Sequence, residues 1–236
     1  IGIKTVLMLS LVVVAMAGAT TGFAHEDKTA TPQNVWSPVL LGRGKSGVVT
    51  RPDGALKLFL FENGKNYSQL SRDGGATWEE RTLEFAGPAC YLPLVDRQGA
   101  IHLLSAAARD ERKGNERMEL GVNFFIDALH VRSDNKRQEW EKPKVAWRGY
   151  CGSVNGFTQL RSGRLIIPFA EWMPGRPEGP PHGANEILVI YSDDGGDTWH
   201  KSSSRLTAPC YTDFNGSGYG ACGPCIIELK DGRCYM

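Results

Sequence analysis

Two stretches decide the reading of this chain: Ser71-Arg72-Asp73-Gly74-Gly75-Ala76-Thr77-Trp78 and Ser192-Asp193-Asp194-Gly195-Gly196-Asp197-Thr198-Trp199. Both follow the pattern S-x-D-x-G-x-T-W. Each is turn chemistry: the aspartate hydrogen-bonds its own backbone, glycine supplies a positive φ, and Thr-Trp re-enters a sheet with the indole packed between strands. A worn third copy, Ser133-Asp134-Asn135-Lys136-Arg137-Gln138-Glu139-Trp140, keeps the serine and the tryptophan and puts Asn135 in the aspartate place. The copies start at 71, 133 and 192, steps of 133 − 71 = 62 and 192 − 133 = 59 residues. A step of that size suits one four-stranded antiparallel sheet with generous loops. The motif residues Ser71, Asp73, Gly75, Thr77, Trp78, Ser133, Trp140, Ser192, Asp194, Gly196, Thr198 and Trp199 are read as holding the fold, with no chemical role.

A second repeat runs out of phase with the first. Pro52-Asp53-Gly54, Arg97-Gln98-Gly99, Arg161-Ser162-Gly163 and Lys230-Asp231-Gly232 each precede a β-rich run. Each reads as the tight turn from the innermost strand of a sheet into the second. The chain carries 28 glycines and 13 prolines, with short β-branched and aromatic runs between them, and no long stripe of helical period follows the N-terminal region. The expected architecture is all-β: a β-propeller of four-stranded blades over residues 39–236, with about three and a half blades and the fourth cut short. Residues 25–38 are a lead-in.

Lys4 precedes an apolar run from Val6 to Ala17, too short to span a bilayer as a helix. Gly22-Phe23-Ala24 follows as a small-x-small cleavage site. Residues 1–24 thus read as a signal peptide, and the mature chain is expected to be secreted, periplasmic or at the cell surface, with no membrane span left after cleavage. The balance of 27 basic against 26 acidic side chains gives no electrostatic case for nucleic acid or an anionic membrane.

The repeated motif has the form of an Asp box. Together with Gly156-Phe157-Thr158-Gln159-Leu160 running on to Gly163-Arg164-Leu165-Ile166-Ile167-Pro168, and with Ile227-Glu228-Leu229-Lys230-Asp231-Gly232-Arg233, it resembles the sialidase superfamily of Asp-box (BNR-repeat) proteins over about residues 40 to 236. The resemblance implies a six-bladed propeller and a glycoside hydrolase acting on terminal sugars of glycans, sialic acid among them. It also implies an Arg-Ile-Pro element in the first blade, where this chain has Lys45-Ser46-Gly47, and a catalytic glutamate five residues before Glu228, where it has Gly223. These two departures support a second reading, a non-catalytic propeller that binds glycan or a protein partner.

In a propeller the ligand face collects the starts of inner strands and the ends of second strands. The starts supply Lys45, Tyr91 and Asn155; the ends supply Arg109, Asp110, Glu111, Arg112, Glu171 and Trp172. An acidic sugar calls for guanidinium forks, and glycosidic cleavage calls for carboxyl groups. Asp110, Glu111 and Glu171 are therefore the catalytic candidates, and Lys45, Arg109, Arg112, Tyr91, Asn155 and Trp172 the substrate-binding ones. No cofactor and no metal is expected.

Cysteines stand at 90, 151, 210, 222, 225 and 234, an even set that reads as structural disulfides in an exported chain. Cys222-Gly223-Pro224-Cys225 matches a redox motif, but the strand-like Ile226-Ile227-Glu228-Leu229 follows it where that chemistry needs a helix. A zinc site from Cys210, Cys222 and Cys225 has no ligand-spaced histidine pair to complete it.

Overall fold

The computed structural model describes residues 45–133, 139–175, 183–209 and 219–236, all within the compact unit Gly42–Met236. The expected signal segment 1–24, the lead-in 25–38, the middle of the worn repeat at 134–138 and Cys210 lie outside the described residues.

The chain is all-β and built from consecutive antiparallel meanders. The first sheet runs β1 (Lys45–Thr50), β2 (Leu56–Glu62), β3 (Lys65–Ser71), β4 (Thr82–Ala86), in that order. The second runs β5 (Cys90–Val95), β6 (Ile101–Asp110), β7 (Phe124–Arg132), β8 (Lys144–Trp147). In the third, β9 (Cys151–Val154) and β10 (Thr158–Gln159) share the inner edge of β11 (Leu165–Met173), followed by β12 (Ala184–Ser192) and β13 (His200–Lys201). A hairpin of β14 (Ile227–Glu228) and β15 (Cys234–Tyr235) opens a further sheet. The out-of-phase turns lie where expected: Gly54, Gly99, Gly163 and Gly232 hold φ between 83° and 95° and donate back across the turn, as in Gly99 N to Asp96 O at 3.0 Å.

The third inner strand breaks for a reason visible in the sequence. Val189 directs both its N–H and its carbonyl at Ser202, away from β11, so its partner Pro168 faces the inner edge. Proline has no N–H to give there. The edge strand accordingly leaves the sheet at Asn155-Gly156-Phe157, opposite Pro168. Phe157 turns edge-on to His102 and His130, at 6.0 and 6.1 Å between ring centres, and lies tilted against Trp199 at 6.3 Å.

Both full repeats close the same hydrogen-bond cage. The Asp73 carboxylate takes Ser71 Oγ at 2.7 Å, Thr77 N at 2.9 Å and Thr77 Oγ1 at 2.5 Å, and the Asp194 carboxylate takes Ser192 and Thr198 at the same distances. Gly75 N and Gly196 N donate to the two serine hydroxyls. The cage is why these residues recur together.

The core lies between sheets. Val49, Phe59, Cys90, Leu103 and Val131 fill the layer between the first and second; Leu104, Ala128, Cys151, Ile167, Phe169, Leu188 and Ile190 fill that between the second and third. Middle strands such as β11 are covered on both faces and read as continuous apolar runs. A polar clasp repeats from sheet to sheet. Arg97 N donates to Gln159 Oε1 at 2.9 Å and its guanidinium to Arg161 O. Arg161 in turn engages Glu228 through N and Nε and the carbonyls of Leu229 and Lys230 through its guanidinium. The second sheet thus grips the third, and the third grips the β14–β15 hairpin, at equivalent turns.

The disulfide expectation is corrected: the five described cysteines, Cys90, Cys151, Cys222, Cys225 and Cys234, are all free thiols. Cys90 and Cys151 act as small apolar core residues, and burial pushes the Cys90 thiol up to about 12 and Cys151 higher still. The Cys222–Cys225 segment stays out of helix, and Cys222 and Cys225 are exposed.

Candidate functional site

The second strands outrun the first. Cys90 pairs with Ser105, so Ala106 to Asp110 extend beyond β5 and pair only with β7. In the third sheet β11 runs on to Met173 opposite Ala184. These projecting ends bring charged side chains together.

Asp127 interrupts the apolar run of β7 and is 4% exposed. It lies diagonally across the ladder from Arg109, since Phe125 is the residue directly opposite. Arg109 forks onto it through Nε at 2.9 Å and Nη2 at 3.3 Å, and its guanidinium stacks on the Phe125 ring at 4.1 Å. Gly149 N donates to the same carboxylate at 3.0 Å and Arg148 Nη1 at 3.5 Å. The bond to Asp127 holds the Arg109 guanidinium above its ordinary pKa.

Glu171 faces Glu186 directly across β11 and β12. Like charges so placed repel. Arg205 resolves the clash: its Nη1 donates to Glu171 Oε2 at 3.0 Å and to Glu186 Oε2 at 2.6 Å. Gly149 links the two clusters. A β-carbon there would stand 3.0 Å from Trp147 Nε1 and 3.3 Å from Glu171 Oε1, so any larger residue would press on both side chains. Beside Glu171, the Trp172 indole meets the Tyr219 ring edge-on at 5.5 Å, and the loop after β6 packs Gly121 against Trp172. The arrangement offers two buried carboxylates from neighbouring sheets, each tied to arginine.

Of the residues singled out by sequence, Arg109, Glu171 and Trp172 lie in this cluster. Glu111 ion-pairs with Arg109. Asp110 and Arg112 pair with each other at 2.9 and 2.6 Å, which pulls the exposed Asp110 carboxyl down to about 2. Tyr91 packs on the core layer around Leu104 and Cys151, and burial raises its phenol. Asn155 turns to the Cys222–Cys225 segment, its carbonyl accepting from Cys225 Sγ at 3.8 Å. Lys45 opens β1 opposite Leu60. Asp127, Arg148, Glu186, Arg205 and Tyr219 join the cluster without having been singled out. Among the described residues no group of three His, Cys, Asp or Glu could hold a metal ion.

Residues 190–201 match the family model of the BNR/Asp-box repeat, the same segment that closes the cage around Asp194. The chain thus carries a segment that matches the BNR/Asp-box repeat. Three solved structures give the range of its likenesses. A protein of unknown function from Dyadobacter fermentans is 14% identical, covering 79% of this chain and 54% of that one, with a TM-score of 0.42. A polysaccharide lyase, an ulvan lyase bound to a GlcA(1-4)Rha3S unit, is 14% identical over 72% of this chain and 41% of the other, with a TM-score of 0.45. The Trypanosoma rangeli sialidase is 15% identical over 80% and 33%, with a TM-score of 0.41. The chain spans 54% or less of each of them. Likeness this distant speaks to no substrate. No curated protein matches the chain.

Proposed function

We propose that this chain is part of an exported, six-bladed propeller of sialidase type, and that the end face of β6 and β11 binds the terminal sugar of a glycan and cleaves its glycosidic bond. The blade reading is supported by the consecutive meanders and by the clasp passed from Arg97 to Arg161 to the turn at Lys230. The observation that carries the function is the pair of buried carboxylates, Asp127 and Glu171, brought from neighbouring sheets to the two sides of Gly149. Glycosidic cleavage uses two carboxyl groups flanking the bond, and a water-poor setting strengthens every charge it presents. Glu171 is the catalytic candidate, while Arg109 and Arg205 hold the carboxylates in place. Asp110 and Glu111 serve as partners to Arg112 and Arg109.

Gly223, at the place where the resemblance puts a catalytic glutamate, favours the second reading of a glycan-binding propeller without turnover. A panel of fluorogenic glycosides separates the two. Release by the full-length protein that disappears in Glu171→Gln supports cleavage at this face. Binding of glycans without release supports the non-catalytic reading.

A further inference from the structure

The geometry points to an uncharged sugar as the ligand of this face, one bearing neither carboxylate nor sulfate; this rests on the glycan reading above. Recognition of an anionic sugar needs guanidinium N–H groups that can turn to it. Here three of the four guanidinia are already paired with carboxylates. Arg109 gives Nε and Nη2 to Asp127 and Nη1 to Glu111, and lays its face on Phe125. Arg112 is forked onto Asp110. Arg205 Nη1 is shared between Glu171 and Glu186. Arg148 leans on Asp127 at 3.5 Å and is the most open of the four, with 66% of its side chain exposed.

The charge count decides the sign. Four arginines (109, 112, 148 and 205) stand against five carboxylates (110, 111, 127, 171 and 186), so 4 − 5 = −1. The loop after β6 adds Lys113 and Arg117 against Glu116 and Glu119, no net charge. An incoming carboxylate thus meets more carboxylates than guanidinia in these pairs. To win Arg109 or Arg205 it must pull a guanidinium from Asp127 or Glu171 and leave a buried carboxylate short of its cation, which is costly. That leaves it the exposed Arg148 and Arg112 alone. A hydroxyl-rich sugar meets none of this. Its O–H groups can donate to carboxylate oxygens and accept from the open Arg148, while its C–H face lies on the apolar surface of Trp172 and Tyr219.

The test is binding of the full-length protein to an array of matched glycans: the same cores ending in galactose, N-acetylglucosamine or fucose, each with and without added sialic acid or sulfate. The uncharged member of a bound pair is expected to bind about tenfold more tightly than its acidic partner, with little change between about 50 and 300 mM salt. Glu111→Gln removes one negative charge and releases Arg109 Nη1, so it is expected to narrow that gap. Tighter binding of the sialylated or sulfated member, weakening as salt rises, would overturn the inference while leaving the glycan reading intact. Binding of no glycan by the folded protein would overturn the glycan reading itself.

Discussion

A β-carbon on Gly196 would stand 2.2 Å from Cε1 of His130, an overlap no side chain tolerates. The glycine of the third sheet's Asp box therefore serves two purposes: it takes φ at 96°, and it lets the box settle on the second sheet. His130 is 2% exposed there, with its Nε2 at 2.9 Å from His102 Nδ1, and His102 Nε2 reaches Asp96 at 3.2 Å. Arg132 completes the joint by donating to Gly195 O at 2.8 Å and to Asp197 at 3.2 Å.

The two boxes should respond differently to the same substitution. Gly75 has the same φ of 97°, but a β-carbon there meets only Leu56 and Trp78 at 3.6 and 3.7 Å. Gly75→Ala is expected to cost about 1–2 kcal/mol, the left-handed backbone penalty alone. Gly196→Ala adds displacement of His130 and should cost about 1–3 kcal/mol more. Urea denaturation of both variants measures the difference.

Acid should weaken the fold through the histidine pair. Burial, aided by His102 and Arg132, lowers the His130 pKa from 6.5 to about 3, and burial lowers His102 as well. An unfolded chain takes up protons near pH 6.5 that the folded chain refuses, so the unfolded state binds more protons below that point. This contribution is complete above the unfolded value and is lost as pH falls toward the folded one. The Asp73 and Asp194 carboxyls, held low by Thr77 and Thr198, act only below 3.8. The urea midpoint should therefore fall between about pH 7 and pH 5, and a His102→Gln, His130→Gln variant should show a flatter profile.

Much of the fold could be read from the chain because its devices are local. The boxes span eight residues, the turns four, and each pattern carries its own hydrogen bonds. The site was legible only in part. Arg109, Glu171 and Trp172 follow from strand order, but their partners depend on register: Asp127 is a diagonal neighbour 18 residues away, and Glu186 and Arg205 reach Glu171 across β12 and the following loop. One clue was present, a lone aspartate inside the apolar run Phe124–Arg132, where burial demands a charged partner. The free cysteines had no such clue, since an even count says nothing about which thiols lie in a core.

Asp127 should matter to stability as well as to the site. Asp127→Ala leaves Arg109 facing Glu111 alone and strips Gly149 N of its acceptor. A loss of about 1–3 kcal/mol is expected, chiefly from the unsatisfied Gly149 N, since Arg109 keeps Glu111 and some solvent. Thermal denaturation of Asp127→Ala against Arg112→Ala, whose ion pair is exposed, checks it: the second should leave stability nearly unchanged.

Arg161 should control the hairpin β14–β15. Its N–H and guanidinium make four bonds to Glu228, Leu229 and Lys230. Arg161→Ala keeps only the backbone donor, and amide exchange at residues 227–235 should speed up by a local opening energy of about 1 kcal/mol, with β2 and β3 unchanged.

The most direct test of the central claim is where a bound glycan lies. Hydrogen–deuterium exchange of the full-length protein with a saturating glycan should show protection at residues 106–112, 124–128, 169–173 and 185–187, the projecting ends that carry Arg109, Asp127, Glu171 and Glu186. Protection confined to the cavity between the first two sheets lined by Lys57, Glu84 and Trp140, or to the Cys222–Cys225 segment, would contradict it.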